Sequence, residues 1–218
     1  MIRIVPTIVP DSLDDIAETE RRYADFLTRL HVDAADGKFA PNASWLPSPG
    51  ERLTGAVAYE AHLMVADPRA VGLSFIAAGV TSLEAHAEAF ADEADGRATL
   101  AAWRAAGAAE AGAALLFATP LEAAEPYLAD VDYVRLMCIP RIGTQGIPFA
   151  EESIARVAEF HRRYPDTPIA VDGGVSEKNI EALARAGTTC FAVGSAIAKA
   201  EEPAAQYRRL LALAEGAV

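Results

Sequence analysis

Only two cysteines occur in the chain, Cys138 and Cys190, and both sit in apolar, strand-like stretches away from any metal or redox spacing. A disulfide framework is not indicated, and both read as buried, reduced thiols. Basic residues are scarce as well: 19 Lys and Arg stand against 31 Asp and Glu, a formal net charge of −12. So acidic a chain argues against a nucleic-acid or anionic-membrane partner, and any anionic ligand has to be held by local donors. No apolar run approaches membrane-spanning length, no basic and apolar leader precedes the first strand, and there is no low-complexity segment. A cytoplasmic globular protein without a membrane partner is the default expectation, with a homo-oligomer left open. The first strand-to-helix turn, Pro6-Thr7-Ile8-Val9-Pro10, has no glycine, so a dinucleotide-binding fingerprint is missing too.

What the chain does have is regular alternation. Ile2 to Val9, Arg29 to Asp33, Val57 to Met64, Val80 to Ala85, Gly112 to Phe117, Val131 to Met137, Pro168 to Val171 and Thr189 to Val193 read as strands. Helical patterns lie between them. One runs from an Asp11 or Ser12 cap to about Leu27 and another from Asp67-Pro68 to near Gly79. Others centre on Leu100, Leu121, Ile154 and Ile180, and a last one spans about Glu201 to Ala214. The Pro-, Gly- and Ser-rich segment from Ala43 to Gly55 leaves room for only a short helix. Eight strands alternating with helices predict a (β/α)₈ TIM barrel, one domain over residues 1–218, better than a doubly wound sheet of five or six strands. In such a barrel the chemistry sits at the C-terminal ends of the strands.

The polar residues fall at those ends. His31 and Asp33 are two apart and so share one face of the second strand. His62 ends the third strand and Asp172 the seventh, and barrel closure brings all four to one mouth. Two imidazoles and two carboxylates suit one divalent ion, with Zn, Fe, Mn and Co all compatible. Gly173-Gly174 after the seventh strand and Gly194-Ser195 after the eighth stand where barrels often cradle phosphate through backbone N–H groups. His86, at the end of the fourth strand, is a candidate for supporting a ligand or touching substrate. His161 reads as a solvated helix-end charge, and Glu84 and Glu88 read as surface or rim residues.

The chain resembles the ribulose-phosphate 3-epimerases in order and over nearly its whole length. The resemblance is carried by His31-Val32-Asp33 with Asp36-Gly37 and Pro41-Asn42, His62-Leu63-Met64, His86-Ala87-Glu88-Ala89, Ala118-Thr119-Pro120-Leu121-Glu122-Ala123, Val171-Asp172-Gly173-Gly174-Val175 and Gly194-Ser195-Ala196-Ile197. It implies a metal-dependent isomerase that inverts the carbon next to the ketone of a ketose phosphate. Asp33 and Asp172 would be the catalytic acid/base pair, and His31, Asp33, His62 and Asp172 the ligands of one divalent ion. Thr7, His62, Gly143, Gln145, Gly173, Gly174, Gly194 and Ser195 would contact substrate, with the phosphate at the last four, and Met64 and Met137 would floor the pocket.

The chain departs from the family at several points. Thr7 replaces a usual serine, Ala35 a third methionine, and Leu116-Phe117 stand where Asn-Pro is usual. The loop Ile139 to Pro148, which covers substrate in the family, keeps only Gly143 and Gln145 of its pattern, and its Arg141 reads as solvated. Two other readings stay open. One is a phosphosugar aldolase or decarboxylase on the same barrel: Asp36-Gly37-Lys38 begins the decarboxylase pattern Asp-x-Lys-x-x-Asp, but Pro41 takes the place of the final acid. The other is a non-catalytic protein that binds a phosphorylated ligand.

Overall fold

The computed structural model describes residues 1–143 and 146–218, so Gln145, an expected substrate contact, lies outside the described residues together with Thr144. Eight strands form: β1 (Arg3–Ile8), β2 (Arg29–Ala35), β3 (Ala58–Met64), β4 (Ser82–His86), β5 (Glu110–Leu115), β6 (Tyr133–Met137), β7 (Ile169–Asp172) and β8 (Thr188–Val193). All neighbours are parallel, and β8 pairs back onto β1 to close the barrel in sequence order. The expected (β/α)₈ barrel is therefore the fold.

Helices α1 (Leu13–Arg22), α2 (Pro68–Ala78), α3 (Glu93–Ala105), α4 (Glu152–Arg163), α5 (Ile180–Arg185), α6 (Ser195–Ala198) and α7 (Pro203–Glu215) form the outer layer. Their starts follow from local chemistry. Ser12 accepts from the Asp15 N–H while Asp15 accepts from that of Ser12, a reciprocal cap at α1. Asp67 caps α2 with Pro68 at its first turn, and Gly79, at φ 108°, ends it. Three expectations need correction. Helix α1 stops at Arg22 rather than Leu27, because the chain turns at Tyr23, whose carbonyl accepts from Phe26 and Leu27. The helix expected around Leu121 is a 3₁₀ segment, Leu121–Tyr127, with Pro126 inside it, where the missing N–H cannot extend an α-helix. Residues 43–55 form loop with no helical turn, as their turn-rich composition allows.

Strand alternation sorts the barrel into two chemistries. Leu30, Val32 and Ala34 of β2, Tyr59, Ala61 and Leu63 of β3, Leu83 and Ala85 of β4, and Val134 and Leu136 of β6 join the apolar layer under the helices. The intervening residues face the barrel axis. They include His31, Asp33, Glu60, His62, Glu84, His86 and Arg135, all buried. On the other strands several axis-facing positions are small, among them Gly112, Ala114, Ala170 and Ala192. Large polar groups inside the barrel are thus accommodated by small residues on neighbouring strands.

Candidate active site

Strand β2 runs two residues beyond its expected end, and this extension puts Asp33 inside the ladder opposite His62 of β3. The loop that follows is tightly tied. Asp36 accepts from the N–H groups of Lys38, Phe39 and Ala66, and Ser44 Oγ donates to the Asp33 carbonyl while accepting from Ala35 N–H. Asn42 Nδ2 reaches the Gly143 carbonyl at 2.7 Å and so links this loop to the one after β6. The base of that second loop is anchored to β7, because Cys138 N–H donates to the Asp172 carbonyl at 2.7 Å.

Around the axis, Asp33 Oδ1 lies 3.3 Å from His31 Nε2 and 3.2 Å from His62 Nδ1, and Asp172 Oδ2 lies 3.5 Å from the same His62 nitrogen. One ligand atom from each of the four residues falls within 4.8 Å of the other three. The four side chains expected to gather at the mouth therefore do so. Among the described residues His31 Nε2 is fully buried and, at 3.3 Å from Asp33 Oδ1, makes no well-formed hydrogen bond, so a ring nitrogen that can serve as a ligand faces the cluster. That nitrogen, with two carboxylates and a second imidazole beside it, fits a divalent ion.

The electrostatics agree with this reading. Burial and the Arg135 guanidinium push the His31 pKa down, but contacts with Asp33 and Glu60 outweigh them and hold it up at about 10. Burial likewise disfavours charge on His62, and Asp172 and Asp33 overcome it to leave the value at about 9. Asp33 is desolvated, yet its two histidine partners hold its carboxyl well below the usual range.

Asp33 and Asp172 line one cleft at the barrel mouth. Thr7, Gly143, Gly173, Gly174, Gly194 and Ser195 line the same cleft, with Met64, Met137, Ile139, Ile142 and Ile147 as its apolar wall. Every described residue expected at the substrate is thus brought there except His62. That ring is fully buried behind the wall, with Nδ1 facing the carboxylates and Nε2 2.8 Å from His86 Nε2. Ala35 packs with Met64, Met137, Ala40, Ile139 and Ile142 in one apolar cluster. Arg141 and His161 are exposed, as expected.

The family described as the Ribulose-phosphate 3 epimerase family matches residues 3–198. The chain belongs to the ribulose-phosphate 3-epimerase family. It is 35% identical over 211 residues to a ribulose-phosphate 3-epimerase of Aquifex aeolicus, covering 94% of this chain and 91% of that protein. It is 28% identical to the cytoplasmic isoform of Oryza sativa, over 98% and 95% of the two chains. Among solved structures, the 3-hexulose-6-phosphate synthase of Salmonella typhimurium superposes with a TM-score of 0.70 at 15% identity, covering the whole of both chains. The orotidine 5'-phosphate decarboxylase of Pyrococcus horikoshii does so at 0.66 and 15%, covering 98% of this chain and 99% of that one. At such identities these two share the barrel with this epimerase-family chain, and nothing finer.

Within this family member, sequence reading misplaced Glu84 and overlooked Glu60 and Arg135. Glu84 is 1% exposed rather than at the surface, paired with Arg135 Nε two strands away on β6. Glu60 lies against His31 on one side and Arg135 on the other. Strand alternation was the available signal, since Glu60, Glu84 and Arg135 each stand two residues before His62, His86 and Met137. Glu88 does lie at the rim, where it accepts from Leu116 N–H and Thr119 Oγ1.

Proposed function

We propose that this family member epimerises a ketose phosphate at the carbon next to its ketone, ribulose 5-phosphate being the pentose the family name indicates, with Asp33 and Asp172 as the opposed base and acid. One observation carries the reading: the two carboxylates come from β2 and β7, on different sides of the mouth, and line a single cleft. Inverting a carbon requires removal of its proton on one face and delivery on the other, so two acid/base groups are needed where simple binding needs none. Asp33 is held as a carboxylate by its histidine neighbours, so it starts in the ionised form that a base requires. Asp172 would deliver one from the far side, and the roles exchange in the reverse direction.

His31, Asp33, His62 and Asp172 would hold the divalent ion. When bound, such an ion supplies Lewis-acid stabilisation of the negative charge that develops on substrate oxygen. Backbone N–H groups at Gly173, Gly174 and Gly194 and the Ser195 hydroxyl would take the phosphate, which suits a chain of net charge −12 whose cleft wall offers no lysine or arginine among the described residues. The Thr7 hydroxyl would bind a substrate hydroxyl, and the apolar wall would shield the enediolate from water. A cytoplasmic location belongs to the same reading, supported by two buried free cysteines.

The test is exchange of the substrate α-proton with solvent deuterium, across ribulose, allulose and other ketose phosphates. Wild-type protein exchanges and epimerises at least one of them, and Asp172→Asn abolishes exchange while sparing phosphate binding. A protein that binds ketose phosphates but exchanges no proton refutes the enzymatic reading in favour of a binding role.

A further inference from the structure

Arg135 is among the largest fully buried side chains and takes no part in the chemistry above. Desolvating a guanidinium is costly even after relaxation, and buried ion pairs seldom recover that cost as stability. Its contacts lead to the ligand cluster. Besides Glu84, Arg135 donates to the Val171 carbonyl at 3.2 Å and to Glu60 Oε1 at 3.2 Å. Arg29 reaches the other oxygen of Glu60, Oε2, at 3.3 Å. Both carboxylate oxygens of Glu60 are therefore held from opposite sides, and Oε1 lies 2.6 Å from His31 Nδ1.

We infer that Glu60 is a positioning residue for the metal centre: clamped by Arg135 and Arg29, it fixes the His31 ring with Nε2 turned into the ligand cluster. An imidazole that donates from Nδ1 keeps its lone pair on Nε2, the nitrogen 3.3 Å from Asp33. Flipping the ring would break a buried, charge-assisted hydrogen bond and leave Glu60 Oε1 facing a C–H group. Glu60 stands on the far side of His31 from the cluster and is not one of its four members. The inference rests on the metal reading of the site and adds to it the device that orients one ligand.

The experiment loads the full chain with Zn²⁺, with ¹⁵N-labelled histidine, and in parallel measures Co²⁺ affinity by chelator competition. The wild type shows a far-downfield N–H proton on His31 Nδ1. Glu60→Gln moves that resonance upfield and weakens Co²⁺ binding roughly 10- to 100-fold. Glu84→Gln, which alters the same arginine without touching His31, leaves the resonance in place. Absence of the resonance in the Zn²⁺-loaded wild type, which needs no variant, overturns the inference. So does a Glu60→Gln protein that keeps the resonance or binds Co²⁺ within about twofold of wild type. A wild type that takes up neither ion overturns the metal reading, and the inference with it.

Discussion

Gly174 offers a way to separate backbone strain from site geometry. It has φ +68°, in the left-handed region, and a Cβ added there would meet the backbone N and Cα of Phe149 at 2.8 and 2.9 Å. Gly50 has φ +90° with nothing within 4 Å of its added Cβ, so it reports strain alone. Forcing alanine into left-handed backbone costs roughly 1–2 kcal/mol, less the 0.4–1 kcal/mol gained by restricting the unfolded chain, so Gly50→Ala should lose about 1 kcal/mol. Gly174→Ala carries the same strain plus an overpacking cost of roughly 1–3 kcal/mol, because its obstacle is main chain that cannot rotate away. The total is roughly 2–4 kcal/mol, and each kcal/mol lowers Tm by about 2–4 °C in a chain of this size. Relief has to come from moving the segment that carries Ile147 and Phe149, and Ile147 lines the cleft with Gly174. The KM for ketose phosphate should therefore rise about tenfold, equivalent to about 1.4 kcal/mol of binding, with kcat falling much less. Thermal unfolding of both variants and steady-state kinetics of Gly174→Ala provide the measurement. Equal Tm losses in the two variants, or an unchanged KM, would refute the reasoning.

Other expectations follow from burial and charge. Purified protein should contain about one divalent ion per chain, lost in His31→Ala and His62→Ala, and elemental analysis of the three proteins checks this. With His31 held at about 10 and His62 at about 9, both rings carry protons at neutral pH in the metal-free protein, so ion uptake should release about two protons. Calorimetry in buffers of different ionisation enthalpy reads that number directly, and a value near zero would contradict the ligand assignment. Glu60 is desolvated but is brought down to about 2 by His31, Arg135 and Arg29, below its unfolded value of 4.5. A depressed folded-state pKa gives stability that is complete above pH 4.5 and is lost as pH falls through about 2. That loss amounts to about 3 kcal/mol and should shrink in Glu60→Gln when urea unfolding is followed against pH. Burial pushes both cysteine thiols up to about 12, so an alkylating reagent at pH 8 should modify neither Cys138 nor Cys190 until the chain is unfolded, as mass spectrometry would show.

Alternation of strands and helices was legible because each strand of a parallel barrel is buried on both faces and reads as a short apolar run. Histidine and aspartate stood out within such runs, so the four-residue cluster could be read before any coordinates. The rest of the axis was not, for a physical reason. Glu60, Glu84 and Arg135 are charged types that normally mark solvent, and only their pairing across β3, β4 and β6 makes them tolerable inside. Pairing across three strands is a tertiary fact that local sequence does not encode. The same holds for the end of β2: Ala34 and Ala35 carry weak strand preference, and it is the β3 ladder opposite them that keeps them extended.

The buried charges also explain how such a site can exist before an ion arrives. Along the axis stand the carboxylates of Asp33, Asp172, Glu60 and Glu84, opposed by the Arg135 guanidinium and, in the metal-free protein, by protonated His31 and His62. Setting aside the half-buried Arg29–Glu110 pair, four negative charges then face three positive ones. Exchange of the two imidazole protons for one divalent cation leaves that balance unchanged, so loading the site moves charge inward from the rings without altering the total the barrel must bury. Arg135 is essential to this balance. Without it Glu84 would lose the cation it pairs with and Glu60 would keep only Arg29, so burial would push the Glu60 carboxyl back up. A protonated Glu60 offers His31 Nδ1 a neutral carboxyl oxygen in place of a carboxylate and loses the charge assistance that holds that ring. The guanidinium beneath the cluster thus links two requirements of the fold, a tolerable buried charge and a histidine turned the right way.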